Sequence, residues 1–99
     1  MKTIHTAKAP EAIGPYSQAI VHGGLLFTSG QIAINPASGQ VEADTIEGQT
    51  EQVMQNLAAL LEEAGASFDS VIKTTCFLSD MADFAAFNAI YGAYFVSKP

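Results

Sequence analysis

Apolar and polar residues alternate in short runs along the first third of the chain, a pattern typical of half-buried β-strands. Residues 2–6, 17–22 and 25–34 predict three strands. Gly23 and Gly24 separate the last two of them. Both glycines accept a positive φ, so this pair predicts a tight hairpin.

After a predicted loop at residues 35–39, the apolar spacing changes to a helical one and predicts a helix over residues 44–64. Asp44 and Glu47 resemble a capping box at its start, and Gly65 stands where a glycine ends a helix. The predicted apolar stripe consists of Val53, Leu57, Leu60, Leu61 and Ala64.

The last part of the chain predicts one more strand and one more helix. Residues 71–78 are rich in β-branched residues, which favours a strand. Asp80 is a candidate cap for a helix that runs to about residue 96. The apolar face of that helix holds Phe84, Phe87, Tyr91 and Phe95. The order β-β-β-α-β-α predicts a single α+β domain.

The predicted strands carry apolar residues on both faces of the sheet. Leu25 and Phe27 point one way, whereas Leu26 and Ile32 point the other, because side chains alternate along a strand. The two helices are expected on one face, which leaves the other uncovered. With 48% hydrophobic residues and a mean hydropathy of +0.21, a chain of 99 residues favours a partner subunit as the cover.

Charge and cysteine content narrow the function classes. The net charge is −6 with a pI near 4.5, the four basic residues are scattered lysines, and arginine is absent from these residues. That composition disfavours binding to nucleic acid and to anionic membranes. A single cysteine precludes an intrachain disulfide, and no apolar run reaches the roughly 20 residues of a membrane span. The expectation is a cytoplasmic protein.

Few residues have a pattern that points to chemistry. His5 and His22 lack further ligands at metal-binding spacing, and Cys76 reads as a small buried hydrophobe within a strand. No metal site is predicted. Ser29 and Gly30 end a predicted strand, either as a plain turn or as a hydroxyl and a backbone open to a ligand.

Asn88 and Tyr16 each have two open interpretations. Asn88 falls on the apolar stripe of the second helix, so its amide either bonds the backbone of a facing strand or lines an interface cleft. Tyr16 follows Gly14 and Pro15 on a stiff turn, which suits a subunit contact or the wall of a pocket.

Three segments, in order, resemble the RidA/YjgF family. They are IGPYSQA at 13–19, FTSGQI at 27–32, and KTTCFLSDMADF at 73–84 followed by Phe87, Asn88 and Tyr91. The resemblance covers residues 2–95. It implies a chorismate-mutase-like homotrimer with the sheets inside, the two helices of each subunit outside, and ligand clefts between subunits.

The resemblance also implies an activity and a site. Family members hydrolyse small enamines and imines such as 2-aminoacrylate to 2-keto acids and ammonia, without metal or organic cofactor. Carried over by position, Ser29 and Asn88 are the catalytic residues. Tyr16, Gly30 and Gln31 bind the substrate, an imine or enamine carboxylate.

In the family, further strands follow the second helix and supply an arginine for the substrate carboxylate and a glutamate for water. We therefore expect residues 1–99 to form one RidA/YjgF-like domain that is incomplete at its C-terminus. Two alternatives stay open: a non-catalytic ligand-binding, regulatory or chaperone-like trimer, and the endoribonuclease or translation-inhibitor role attached to some relatives. The acidic pI counts against the latter.

Overall fold

The computed structural model describes residues 2–11, 17–68, 71, 78 and 80–95. Its elements in chain order are β1 (Lys2–Ile4), β2 (Ala19–His22), β3 (Leu25–Thr28), β4 (Ile34–Asn35), β5 (Gln40–Val41), α1 (Ile46–Glu63), a 3-10 turn (Met81–Asp83) and α2 (Phe84–Ala93). The predicted α+β class is confirmed. The strand predicted at residues 71–78 lies mostly outside the described residues.

The first three strands form an antiparallel sheet in the order β1-β2-β3. Ile4 pairs with Ala19, and Val21 pairs with Leu26, so these residues share one face of the sheet. The predicted hairpin between β2 and β3 is confirmed, since its two glycines have φ values of 61° and 77°.

The strand predicted over residues 25–34 is wrong in its length, because β3 ends at Thr28. The chain then leaves the sheet and forms a second, two-stranded sheet in which β4 pairs with β5. The turn between β4 and β5 begins with Asn35, whose Oδ1 accepts a hydrogen bond from the Ala37 N–H at 2.9 Å. It ends with Gly39 at φ 70°, a left-handed conformation that favours glycine.

The start of α1 differs from the predicted capping box. Thr45, not Asp44, is the N-cap, and its Oγ1 accepts a hydrogen bond from the Gly48 N–H at 3.1 Å. A Cβ at Gly48 would lie 2.9 Å from the Ala43 Cβ, so the glycine lets the preceding chain pack closely on the first turn.

The end of α1 agrees with the prediction. Gly65 has a φ of 77°, its N–H donates to the Glu62 carbonyl, and the Ala66 N–H donates to the Leu61 carbonyl. These two bonds form a Schellman motif and satisfy the last carbonyl groups of the helix.

The core lies between α1 and one face of the first sheet. Leu60 is fully buried against Ile4, Ala9 and Ala19, with Val21 and Leu26 packed beside them. The predicted α1 stripe is only partly correct: Leu60 and Leu61 are buried, whereas Val53 and Leu57 are half-buried. Burial is not confined to one stripe because α1 also contacts α2 and β4. The other buried α1 residues are Thr50, Met54 and Asn56.

Aromatic rings dominate the region around α2. Phe87 stacks on Tyr91 with ring centroids 5.1 Å apart, and Tyr91 contacts Phe95 at 4.8 Å. Phe68, which follows α1, contacts Phe95 edge-on at 5.3 Å. Phe84 keeps half of its surface exposed, so the predicted apolar face is present but only partly covered.

The opposite face of the first sheet carries Ile20, Leu25 and Phe27, because Ile20 pairs with Phe27 and side chains two residues apart share a face. Leu25 and Phe27 are 49% and 58% exposed. Among the described residues no helix covers this face, which confirms that both faces carry apolar groups.

A hydrogen bond from the Tyr94 hydroxyl to the Glu51 Oε1, 2.7 Å long, ties the end of α2 to α1. Burial, and then the hydrogen bond to Glu51 and its negative charge, raise the pKa of Tyr94 from 10.0 to about 12. Because the folded-state pKa is raised, the contribution of this bond to stability is fully present below pH 10 and is lost as the pH rises through about 12.

Tyr94→Phe is therefore expected to lower the free energy of unfolding by about 1 kcal/mol at neutral pH, with a gap from wild type that narrows in alkali. Urea denaturation of both proteins at neutral pH and at pH values between 10 and 12 measures the gap. A gap that stays constant across this range would show that Tyr94 does not lose the bond on ionisation.

Candidate functional site

Ser29, Gly30 and Gln31 follow β3 directly, at the point where the chain leaves the first sheet. The Ser29 N–H donates to the Gln18 carbonyl at 3.0 Å, and the Ser29 Oγ donates to the Ser17 carbonyl at 2.6 Å. The side chain is exposed, and its hydroxyl oxygen still has lone pairs that can accept a bond from a ligand or a water.

The backbone at Gly30 is open to close approach. A Cβ built there would meet no atom within 4 Å, and Gly30 is exposed. Within the described part of the chain, the N–H groups of Gly30 and Gln31 have no hydrogen-bond acceptor. Two neighbouring unpaired N–H groups on an exposed segment can bind an anionic oxygen.

Gln31 adds a side-chain amide to the same segment. Its Nε2 donates to the Ser29 carbonyl at 3.2 Å. Its Oε1 is buried and has no hydrogen-bond partner in the residues that the structure describes. A buried acceptor without a donor is costly, so this oxygen is suited to accept a bond from a ligand N–H or a water.

Asn56 of α1 anchors the far end of the segment, and the sequence patterns did not single it out. The residue is fully buried, and its Nδ2 donates to the carbonyl oxygens of Ile32 at 3.1 Å and Ile34 at 3.0 Å. The only available signal was a polar residue between apolar positions of α1.

Gln18 anchors the start of the Ser29–Gly30–Gln31 segment. The sequence patterns did not single it out as an individual residue either, although it belongs to the IGPYSQA motif. It is 3% exposed, and its Oε1 accepts a bond from the Thr6 N–H. Its Nε2 lies 2.9 Å from the Thr6 carbonyl oxygen, 3.1 Å from that of Ala9 and 2.8 Å from that of Pro10. The side chain of Gln18 thus fixes residues 6–10 at the start of β2, while its backbone carbonyl accepts the Ser29 N–H.

The other predicted site residues are placed differently. Asn88 is exposed on α2 rather than buried on its apolar stripe, and no hydrogen bond joins it to residues 29–31 in the described part of the chain. Tyr16 lies outside the described residues. A single copy of the chain therefore brings Ser29, Gly30 and Gln31 together and does not join Asn88 to them by a hydrogen bond.

Other surface features do not overlap with this segment. An open depression of about 230 Å³ is lined by Thr6, Lys8, Ala59, Glu62 and Glu63. The His5 Nε2 lies 3.1 Å from the Glu11 Oε1, and both side chains are largely exposed. The described ranges contain no group of three His, Cys, Asp or Glu residues that could hold a metal ion, and no helix long and apolar enough to cross a membrane.

Comparison with known proteins identifies the family. The sequence profile of the endoribonuclease L-PSP family matches residues 6–99. A RutC family protein of Synechocystis is 54% identical over 96 residues, which cover 96% of this chain and 74% of that protein. The chain belongs to the RidA/YjgF family. The chloroplastic Reactive Intermediate Deaminase A of Arabidopsis thaliana is 46% identical over 94 residues, 95% of this chain and 50% of that protein.

Solved structures of the RidA/YjgF family share this fold. The YjgF gene product of Escherichia coli superposes with a TM-score of 0.91 at 43% identity, covering 98% of this chain and 76% of its own. TdcF of E. coli, solved with bound serine, has a TM-score of 0.91 at 40% identity with the same coverage.

The bonds of Gln18 generate a stability prediction. Gln18→Leu keeps a similar volume but leaves the Thr6 N–H and several carbonyl groups without their partner, so the free energy of unfolding is expected to fall by about 3 kcal/mol. Chemical denaturation measures the loss. The matched control is Gln55→Leu, on the exposed surface of α1, which should change stability by less than about 0.5 kcal/mol. Equal losses in the two variants would contradict the role assigned to Gln18.

Proposed function

We propose that this protein hydrolyses reactive enamine and imine intermediates of the 2-aminoacrylate type to 2-keto acids and ammonia. The observation that carries the proposal is the segment of exposed Ser29 and Gly30 and half-buried Gln31. Among the described residues, the N–H groups of Gly30 and Gln31 have no acceptor and the buried Gln31 Oε1 has no donor. Membership of the RidA/YjgF family and 46% identity to a Reactive Intermediate Deaminase A support it.

The reaction needs little from the protein. The enamine tautomerises to an imine, water adds to the electrophilic imine carbon, and a proton moves to nitrogen. The C–N bond then breaks, which releases ammonia and leaves the keto acid. Because the carbon is already electrophilic, holding the substrate and its water in place supplies most of the catalysis. A covalent nucleophile is not needed.

The polar groups of Ser29, Gly30 and Gln31 are suited to hold the substrate and its water. The N–H groups of Gly30 and Gln31 are suited to an oxygen of the substrate carboxylate. The Gln31 Oε1 can accept a bond from the substrate nitrogen, and the Ser29 hydroxyl can hold the water or relay a proton. In this proposal Tyr16 walls the cleft, and Asn88 helps to fix the ligand.

We further propose that the active form is a homotrimer with its clefts between subunits. Leu25 and Phe27 are about half exposed on a sheet face that no described helix covers, and a neighbouring sheet would bury them. In that assembly the cleft would receive residues from two subunits. Asn88 would then meet Ser29 of a neighbouring subunit without being joined to it within one copy, and Tyr16 would wall the same cleft.

The activity is tested by supplying 2-aminoacrylate from a serine dehydratase and measuring ammonia release by the purified protein. We expect acceleration by the wild type and a loss in kcat/KM of about 100-fold in Ser29→Ala, as for removal of a proton-transfer group. Ser38→Ala, at an exposed serine in the β4–β5 turn, is the control and should match wild type. Wild-type protein that binds L-serine but releases no ammonia would favour the non-catalytic binding alternative, for which TdcF with bound serine is the precedent.

Asn88→Leu separates a ligand role from a structural one. Because Asn88 is exposed, the substitution should change stability by less than about 0.5 kcal/mol while weakening binding of the substrate. Thermal unfolding and KM are measured on the same preparation. A loss of several kcal/mol with unchanged KM would make Asn88 a structural tie and remove it from the proposed site.

The trimer is tested by sedimentation at micromolar concentration. Phe27→Asp places a charge in the proposed interface, where burying an unpaired charge costs several kcal/mol, so the variant should dissociate or unfold. Phe84→Asp, at a phenylalanine of similar exposure on α2, should leave the assembly intact. A stable, folded wild-type monomer under these conditions would rule out the trimer.

A further inference from the structure

The stretch of residues 29–33, which includes the candidate Ser29–Gly30–Gln31 segment, is irregular backbone between β3 and β4 and is held at both ends by hydrogen bonds. At its start, Ser29 makes two hydrogen bonds to Ser17 and Gln18. At its end, the Ile34 N–H donates to the Ile32 carbonyl at 2.8 Å, which closes a γ-turn around Ala33. Gly30 and Gln31 lie between these two fixed points.

The geometry points to Asn56 as a positioning residue for this site, an inference that rests on the proposed function. From α1, its Nδ2 donates to both carbonyl groups that flank the γ-turn, those of Ile32 and Ile34. Its Oδ1 accepts a bond from the Gln52 Nε2 at 2.9 Å. Asn56 is fully buried, so water cannot replace these contacts without opening the structure.

The position requires an amide because it needs two donors and one acceptor from one short side chain. The two carbonyl groups oblige the NH₂ to face the segment, and Gln52 on the preceding helical turn favours the same orientation by donating to the oxygen. An ionised aspartate would set a carboxylate oxygen against two carbonyl oxygens. Alanine would leave both carbonyl groups without this donor.

Displacement of the γ-turn would carry Gly30 and Gln31 with it, since the segment is short. A shift of about 1 Å in groups that position a substrate can cost roughly 100-fold in rate. Asn56 thus connects the rigid helix α1 to the N–H groups proposed to bind the substrate, although it touches no substrate itself.

The test compares Asn56→Ala with Leu60→Ala, a truncation at another fully buried α1 residue that packs on the sheet instead of the segment. Both variants should lower the melting temperature. Only Asn56→Ala should lower kcat/KM for dehydratase-generated 2-aminoacrylate, by about 10- to 100-fold, in assays well below both melting temperatures. It should also accelerate amide hydrogen exchange at Ile34 relative to Leu60→Ala.

Gln52→Ala provides a second variant that keeps the fold, because Gln52 is only half-buried. It removes the bond that orients the Asn56 amide and should lower kcat/KM by a smaller factor than Asn56→Ala does. Gln55→Ala, at an exposed residue of the same helix, should leave kcat/KM unchanged.

The outcomes separate the two proposals. Equal kcat/KM and equal exchange at Ile34 in Asn56→Ala and Leu60→Ala would overturn the positioning role while leaving the deaminase intact. An inactive wild type would overturn the deaminase. In that case, faster exchange at Ile34 in Asn56→Ala alone would still support control of the segment by Asn56, and unchanged exchange would refute it.

Discussion

Backbone carbonyl groups that lie outside the three-stranded sheet, buried or partly buried, impose the constraint on which the rest of this structure depends. A strand satisfies its backbone through its neighbours, but a segment that leaves the sheet must find other donors. Two buried amides supply them: Gln18 for the chain at residues 6–10 and Asn56 for the turn after Gln31. Because each amide also accepts a bond, both are held in one orientation.

This arrangement holds both ends of a segment that belongs to neither sheet. Ser29 uses its own N–H and hydroxyl hydrogen to hold its place against β2. Within the described part of the chain the next two N–H groups have no acceptor, and the proposed function assigns them to the substrate. Binding groups held by a scaffold lose little conformational freedom when a substrate arrives, which is how rigid positioning contributes to catalysis.

One face of the three-stranded sheet is covered by α1, and the other face is not covered by a described helix. Leu60 and its neighbours seal one face against α1, while Leu25 and Phe27 remain open on the other. Neither of the described helices covers the face that carries Leu25 and Phe27. In the proposed homotrimer, residues on different subunits would line a shared cleft, so sequence motifs far apart in the chain could serve one site.

Much of this protein could be predicted from local features of its sequence. The hairpin at Gly23 and Gly24 needs residues that accept a positive φ, the end of α1 needs Gly65, and the motifs around Tyr16, Ser29 and Asn88 carry the family resemblance. Tertiary structure alone decided where β3 stops: Ser29 still bonds the Gln18 carbonyl in the β2–β3 register, and the chain then turns away from the sheet toward Asn56 of α1. It also decided that Asn56 is buried and Asn88 exposed. Periodicity reports which side of a helix is apolar, whereas the fate of a single amide depends on which carbonyl groups the folded chain brings against it.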